Sequence, residues 1–227
     1  MKVPTLAEQE TAKYQLTDKE TRRPKGHMTQ VLRRVSEGEE NCYEVNVVTE
    51  TGTGDVVEEV LLLQGAESLS PRAYRMAGKR RDGSTAIEGQ IVYDQSDLPP
   101  NGLPVAGIGV WLRGAPFGGK KTGLTFHLVG HQGARLRMEG TVFPKKEKVS
   151  VKAGEFQCYK IDVTPDVVSL MDLQGSSVPI PGLSTFMRQF TTTFHYWYAI
   201  EKPHQLVKFE AYLFDPFQGS EAVGELM

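Results

Sequence analysis

The chain has little that would bind nucleic acid, hold a thiolate metal centre or cross a membrane as a helix. Its 227 residues contain only two cysteines, Cys42 and Cys158. Two are too few for a disulfide framework or a cysteine zinc site. One bridge between them is left open, although buried free thiols are the simpler reading. With 26 basic and 28 acidic residues, the formal net charge is −2. No global field therefore points toward nucleic acid or an anionic membrane. No uninterrupted apolar run is long enough for a membrane helix, so no integral membrane segment is expected. The first ten residues, Met1 to Glu10, hold no apolar core of a signal peptide. As written the sequence reads as cytoplasmic, and as periplasmic if a leader has been removed.

What is present is alternation. Tyr43, Val45 and Val47 alternate with Glu44 and Asn46, and Leu124, Phe126 and Leu128 alternate with Thr125 and His127. Leu136 and Met138 alternate with Arg135, Arg137 and Glu139. Each pattern predicts a half-buried strand. Arg72 to Arg80 and Thr85 to Tyr93 flank Asp82-Gly83, a tight-turn pair, and predict a hairpin. Val56 to Gln64 fits either a strand or a capped helix, and its valines favour the strand. Phe194 to Glu201 and Gln205 to Phe214 are aromatic-rich runs around Lys202-Pro203-His204, a further hairpin. The 23 glycines suit a chain of many turns.

Roughly nine to eleven strands in one meander are expected. So large an antiparallel sheet must curl, because each strand twists relative to the next. The predicted fold is mainly β: a single curled antiparallel sheet, a half-open β-barrel, spanning residues 1–227. Thr5 and Glu8 have capping-box spacing and predict an N-terminal helix over 1–13. Thr164-Pro165-Asp166 predicts a short helix ending at Gly175. Two uncharged segments rich in Gly and Pro, within 98–119 and 165–190, are read as lids over the concave face.

The string Val151-Lys-Ala-Gly-Glu-Phe-Gln-Cys-Tyr-Lys-Ile161 and the later run Tyr196 to Glu210 are similar to a family of uncharacterised bacterial half-barrel proteins. That family resembles the lipoprotein-carrier fold. The matching positions are Gly154, Phe156, Cys158 and Tyr159, then Trp197, Pro203, His204, Leu206, Val207 and Glu210. The resemblance implies a barrel plugged at its mouth and an apolar or lipid-like ligand.

Motifs for chemistry are weak. Gly114 to Lys120 approaches a phosphate loop, but Lys121 stands where Ser or Thr is required. His127 and His131 are four apart in a strand-and-turn context that does not converge them on a metal. No nucleophile elbow occurs. His195, Tyr198 and Arg137 are the candidate acid, base and charge-orienting groups. His195 beside Trp197 would feel desolvation, and Arg137 could grip a carboxylate or phosphate. Trp111, Phe117, Phe126, His127, Met138, Leu183, Phe186, Tyr196 and Trp197 are the candidate ligand-binding residues. The leading functional expectation is non-covalent binding of a hydrophobic small molecule or acyl chain in an apolar cavity, without a cofactor or metal. The alternatives are a cofactor-free cyclase or isomerase acting on a polyketide- or terpene-like substrate, and a structural interaction protein.

Overall fold

The computed structural model describes residues 4, 6–37, 40–65, 69–129, 135–166, 193–213 and 220–227. Within them the chain forms one sheet of thirteen strands. The first half is a plain meander: β1 (Gln9–Asp18), β2 (Pro24–Glu37), β3 (Glu40–Thr51), β4 (Val56–Gln64), β5 (Ser70–Lys79) and β6 (Thr85–Val92). After a two-residue strand β7 (Gly102–Leu103), a single-turn helix α1 (Ile108–Trp111) follows, flanked by 3₁₀ turns at Val105–Gly107 and Leu112–Gly114. The second meander is β8 (Thr122–Val129), β9 (Arg135–Val151), β10 (Gly154–Pro165), β11 (Phe194–Ala199), β12 (Leu206–Leu213) and β13 (Ser220–Leu226). All pairings are antiparallel except β7 on β8.

The strand order is not the chain order. It runs β6-β5-β4-β3-β2-β1-β13-β12-β11-β10-β9-β8-β7, so the first and last strands meet in the middle. Tyr14 pairs with Leu226 and Asp18 with Ala222. The two ends of the sheet come round toward each other, since β7 lies against β5. Strand twist accumulated over thirteen strands produces this curl. The residues from Asp94 to Asn101 bridge the gap. Gln95 Nε2 donates to Pro71 O at 2.8 Å, and Asn101 Nδ2 donates to Thr125 O at 3.2 Å.

Period-2 alternation decides the concave face. Tyr14, Met28 and Val57 lie on one cross-strand rung with Thr49 and Gly78. The second half contributes Phe126, Met138, Ile161, Val163, Phe194, Tyr196, Tyr198 and Phe209, all buried. One apolar core runs through both halves. A smaller cluster of Val149, Cys158, Trp197, Ala199 and Val207 lies on the opposite face of the sheet, with Phe156 and Val151 against it. The β9–β10 hairpin bends over here far enough for Ala153 N to donate to Leu226 O. Cys42 and Cys158 are buried and unbonded to each other.

Three expectations change. The helix expected over 1–13 is strand from Gln9. The alternating burial of Ala12, Tyr14 and Leu16 on β1 outweighs the capping spacing at Thr5 and Glu8. Pro165 does not open a helix but ends β10, opposite Met138. The rest of that segment, from residue 167 to residue 190, falls outside the described residues. The stretch over 98–119 lies on the concave face as a plug, with its apolar side chains turned into it. The strands number thirteen rather than nine to eleven.

Gly224 shows how closely the core is fitted. Phe209 lies flat across it, and a Cβ there would stand 2.2 Å from the Phe209 ring. Gly224→Ala is expected to destabilise the fold by about 1–3 kcal/mol through overpacking. Adding Phe209→Leu should recover part of the loss, since it removes the clashing ring edge. Urea denaturation of the two variants measures both effects.

Candidate functional site

The plug is held by polar latches as well as apolar contact. Leu103, Ile108, Val110, Trp111 and Leu112 are all buried. Each such side chain is worth about 1.5–3 kcal/mol when fully removed from water. Trp111 meets Phe126 with ring centroids 5.0 Å apart. Gly107 lets the backbone approach β4, since a Cβ there would stand 2.9 Å from Leu61 Cδ2. Tyr198 Oη donates to Gly109 O at 3.0 Å. Arg113 donates twice to Glu10 on β1, from Nη1 at 2.8 Å and Nη2 at 2.7 Å. Its side chain is 0% exposed and that of Glu10 16%. The Glu10 carboxylate supports the Arg113 charge against its desolvation, and Arg113 Nε is buried without a partner among the described residues.

Tyr14 completes this interior set. Its hydroxyl donates to Leu206 O at 3.0 Å, where a register shift in the β11–β12 pairing leaves that region irregular. Burial raises the pKa of Tyr14, Tyr196 and Tyr198 far above the ordinary phenol value, so all three stay neutral. Phe117 leaves the plug half-buried and stacks on Tyr159 at 5.1 Å, with His204 4.8 Å away.

The candidate catalytic residues do not converge. Tyr198 is inside, fastened to the plug. His195 lies on the outer face, its Nδ1 2.6 Å from Asp162 Oδ1. Arg137 is also on the outer face, with a side chain 45% exposed and 3.6 Å from both Glu139 and Asp166. Adjacent parity on one strand separates His195 from Tyr198, because successive side chains point to opposite faces.

The candidate ligand-binding residues divide the same way. Trp111, Phe126, Met138 and Tyr196 are core residues of the concave face. Trp197 is on the outer face. Its Nε1 donates to Glu147 Oε2 at 2.8 Å, and Lys160 and Lys208 sit over its ring at 5.4 and 5.5 Å. His127 braces the bridging loop, with Nδ1 3.1 Å from Pro100 O. Leu183 and Phe186 lie outside the described residues, as does His131. Burial pushes the Cys158 thiol up to about 12, which suits an inert core cysteine.

A different group stands out on the first half of the concave face. β4 places Val57, Leu61 and Leu63 there, all buried, and Glu59 shares their parity. Glu59 pairs with Val47 on β3 and Met76 on β5. Tyr74 Oη donates to Glu59 Oε1 at 2.7 Å. Burial raises the Glu59 carboxyl above its ordinary value, and the Tyr74 hydrogen bond offsets this only in part. Glu59 itself stays partly accessible. Tyr93, which neighbours Tyr74, has its hydroxyl shut from solvent without a hydrogen-bond partner among the described residues. Sequence reasoning passed over this group in favour of the aromatic C-terminal third. The signal was there: a carboxylate in the apolar row Val57, Leu61, Leu63.

Coverage of the concave face fades at β6. There the core-facing Ile87, Gly89 and Ile91 are only half-buried, and Val92 on the other face is 73% exposed. A separate shallow depression of about 180 Å³ lies near Gln15, His27, Glu50 and Thr51, away from this edge. Among the described residues, no group of three or more His, Cys, Asp and Glu is placed to hold a metal. No helix among them is long and apolar enough to cross a membrane.

No family model matches the chain, and no curated protein matches it. A solved structure does: the crystal structure of a beta-barrel-like protein of Domain of Unknown Function DUF1849 from Brucella abortus. It is 12% identical, with a TM-score of 0.47, and the match covers 100% of this chain and 97% of that one. A likeness to lipoprotein carriers does not come with it.

Two outcomes are expected. Removing either partner of the buried pair, by Arg113→Met or Glu10→Gln, should cost about 3–5 kcal/mol, because the other charge is stranded. The double variant should cost less than the sum of the two, as read by urea denaturation of all four proteins. The second concerns Glu59, which ionises near 4.5 when unfolded and higher when folded. Its share of stability is therefore complete below pH 4.5 and declines as pH rises toward the folded value. Wild type should lose stability relative to Glu59→Gln between pH 4.5 and 8, and equal losses would contradict the shift.

Proposed function

We propose that the protein binds a hydrophobic small molecule or acyl chain on the concave face of its sheet, at the β6 side. One observation carries this reading. The row Ile87, Gly89, Ile91 faces the core side of the sheet yet is only half-covered, whereas the equivalent row of β5, Tyr74, Met76 and Gly78, is buried, as is that of β4 apart from Glu59. An apolar row that continues a hydrophobic core past its own covering offers a ligand a surface already shaped and dry on one side. Removing that surface from water supplies affinity at roughly 25 cal/mol per Å². A few placed polar groups orient such ligands, and Glu59, Tyr74 and Tyr93 stand beside the row. The plug resembles a ligand in its chemistry: a short, uncharged, aromatic-bearing segment laid against β3 and β4.

The test uses a neutral apolar fluorophore, N-phenyl-1-naphthylamine. Saturable, one-to-one fluorescence enhancement is expected. Ile91→Asp should weaken it about tenfold or more by placing a charge on the apolar row. Ile91 packs against the rim of the core, so the variant's thermal midpoint is measured alongside, to separate lost binding from lost fold. Enhancement that never saturates, or that is indifferent to Ile91→Asp, would sink the reading. Native mass spectrometry of freshly purified protein, followed by organic extraction, would identify a co-purifying molecule.

A further inference from the structure

Glu59 sits in surroundings that favour the uncharged acid unless a cation is supplied. Its strand neighbours on the concave face are Val57 and Leu61, and its cross-strand partners are Val47 and Met76. Among the described residues it forms no ion pair with any Lys or Arg. The contrast with Glu10 is direct: one rung away, that carboxylate is gripped at both oxygens by Arg113. A carboxylate on an apolar face is costly unless it is paired and hydrogen-bonded. Tyr74 supplies one hydrogen bond, 2.7 Å long, and no charge.

Tyr93 gives the second, independent observation. Its hydroxyl is hidden from water and bonds to nothing among the described residues. Buried polar groups are nearly always satisfied, so one left open calls for a partner. A phenol oxygen accepts as well as donates. Tyr74 links the two, bonding to Glu59 and lying within electrostatic reach of Tyr93, so acceptors flank its ring on both sides. Glu59 remains partly accessible, so a head group can reach it from solvent.

We propose that Glu59, Tyr74 and Tyr93 form the head-group site for an aliphatic ammonium carried on an apolar tail, with the tail lying along Ile87 and Ile91. This rests on the reading of the β6 side as a binding surface. An ammonium brings the missing positive charge and three donors, enough for Glu59 and Tyr93 together. Its approach to the tyrosine faces adds cation–π attraction. An alcohol brings one donor and no charge. A fatty carboxylate brings a like charge, which Glu59 repels. The Arg113–Glu10 pair cannot take this role, because its charges already satisfy each other.

Isothermal titration with decylammonium, decyltrimethylammonium, decanol and decanoate, all below micelle formation, tests the assignment at pH 7. Decylammonium is expected to bind about tenfold or more tighter than decanol, which corresponds to about 1.4 kcal/mol. Decanoate should be weakest. The trimethylated head, which keeps the charge but lacks donors, should fall between decylammonium and decanol. Glu59→Gln should bring decylammonium down to the level of decanol while decanol itself is little changed. Tyr93→Phe, which keeps the ring, should lower the ammonium preference severalfold. If decylammonium and decanol bind alike and neither variant alters them, the head-group site is wrong while apolar binding at β6 stands. If no decyl compound binds, both readings fall.

Discussion

The Arg113–Glu10 ion pair is the constraint on which the interior is organised. Arg113 ends the plug and Glu10 opens β1, the strand at the centre of the sheet. A guanidinium with no exposed surface has few stable arrangements, and a two-pronged carboxylate is the one this fold supplies. The pair therefore fixes how deep the plug lies and in which direction it runs. Tyr198 and Tyr14 then find backbone carbonyls within reach, at Gly109 and Leu206. The apolar side chains of the plug fill what remains. Hydrophobic burial supplies most of the attraction, but it is non-directional, and the placement comes from the polar contacts.

The same concave face holds two carboxylates with opposite fates. Glu10 is matched by a charge from its own chain; Glu59, among the described residues, is met by a phenol. Neighbouring rungs of a sheet thus give one residue type a structural role and leave another chemically open. The difference lies in what the plug brings to each strand and not in the strands themselves.

Much of the fold was legible in the residues. Strand alternation in Tyr43–Val47 and Leu124–Leu128 is a local property, set by one buried face, and the structure keeps it, while the aromatic-rich Phe194–Ala199 is buried on both faces. The Asp82-Gly83 hairpin is equally local. The meeting of β1 with β13 was not legible, because no local pattern records which distant strand comes next. The plug was visible as an uncharged Gly/Pro-rich stretch, but composition cannot say whether such a segment lies over a core or inside it. Site residues suffered from face assignment. His195 and Tyr198 are close in sequence, yet the sheet puts them on opposite sides. Aromatic density drew attention to the C-terminal third, where the tyrosines serve the core, and away from Glu59, whose parity with Val57 and Leu61 was readable throughout.

The central joint between β1 and β13 also sets an order of assembly. Each half can zip up by nearest-neighbour hairpins, but β1 has one open edge until β13 has left the ribosome. Through that interval the first meander displays Leu16, Leu32, Leu61 and Met76 to water, with no second half to shield them. A nascent chain of this design has a long vulnerable period, in which an open sheet edge and an uncovered apolar face can misassociate.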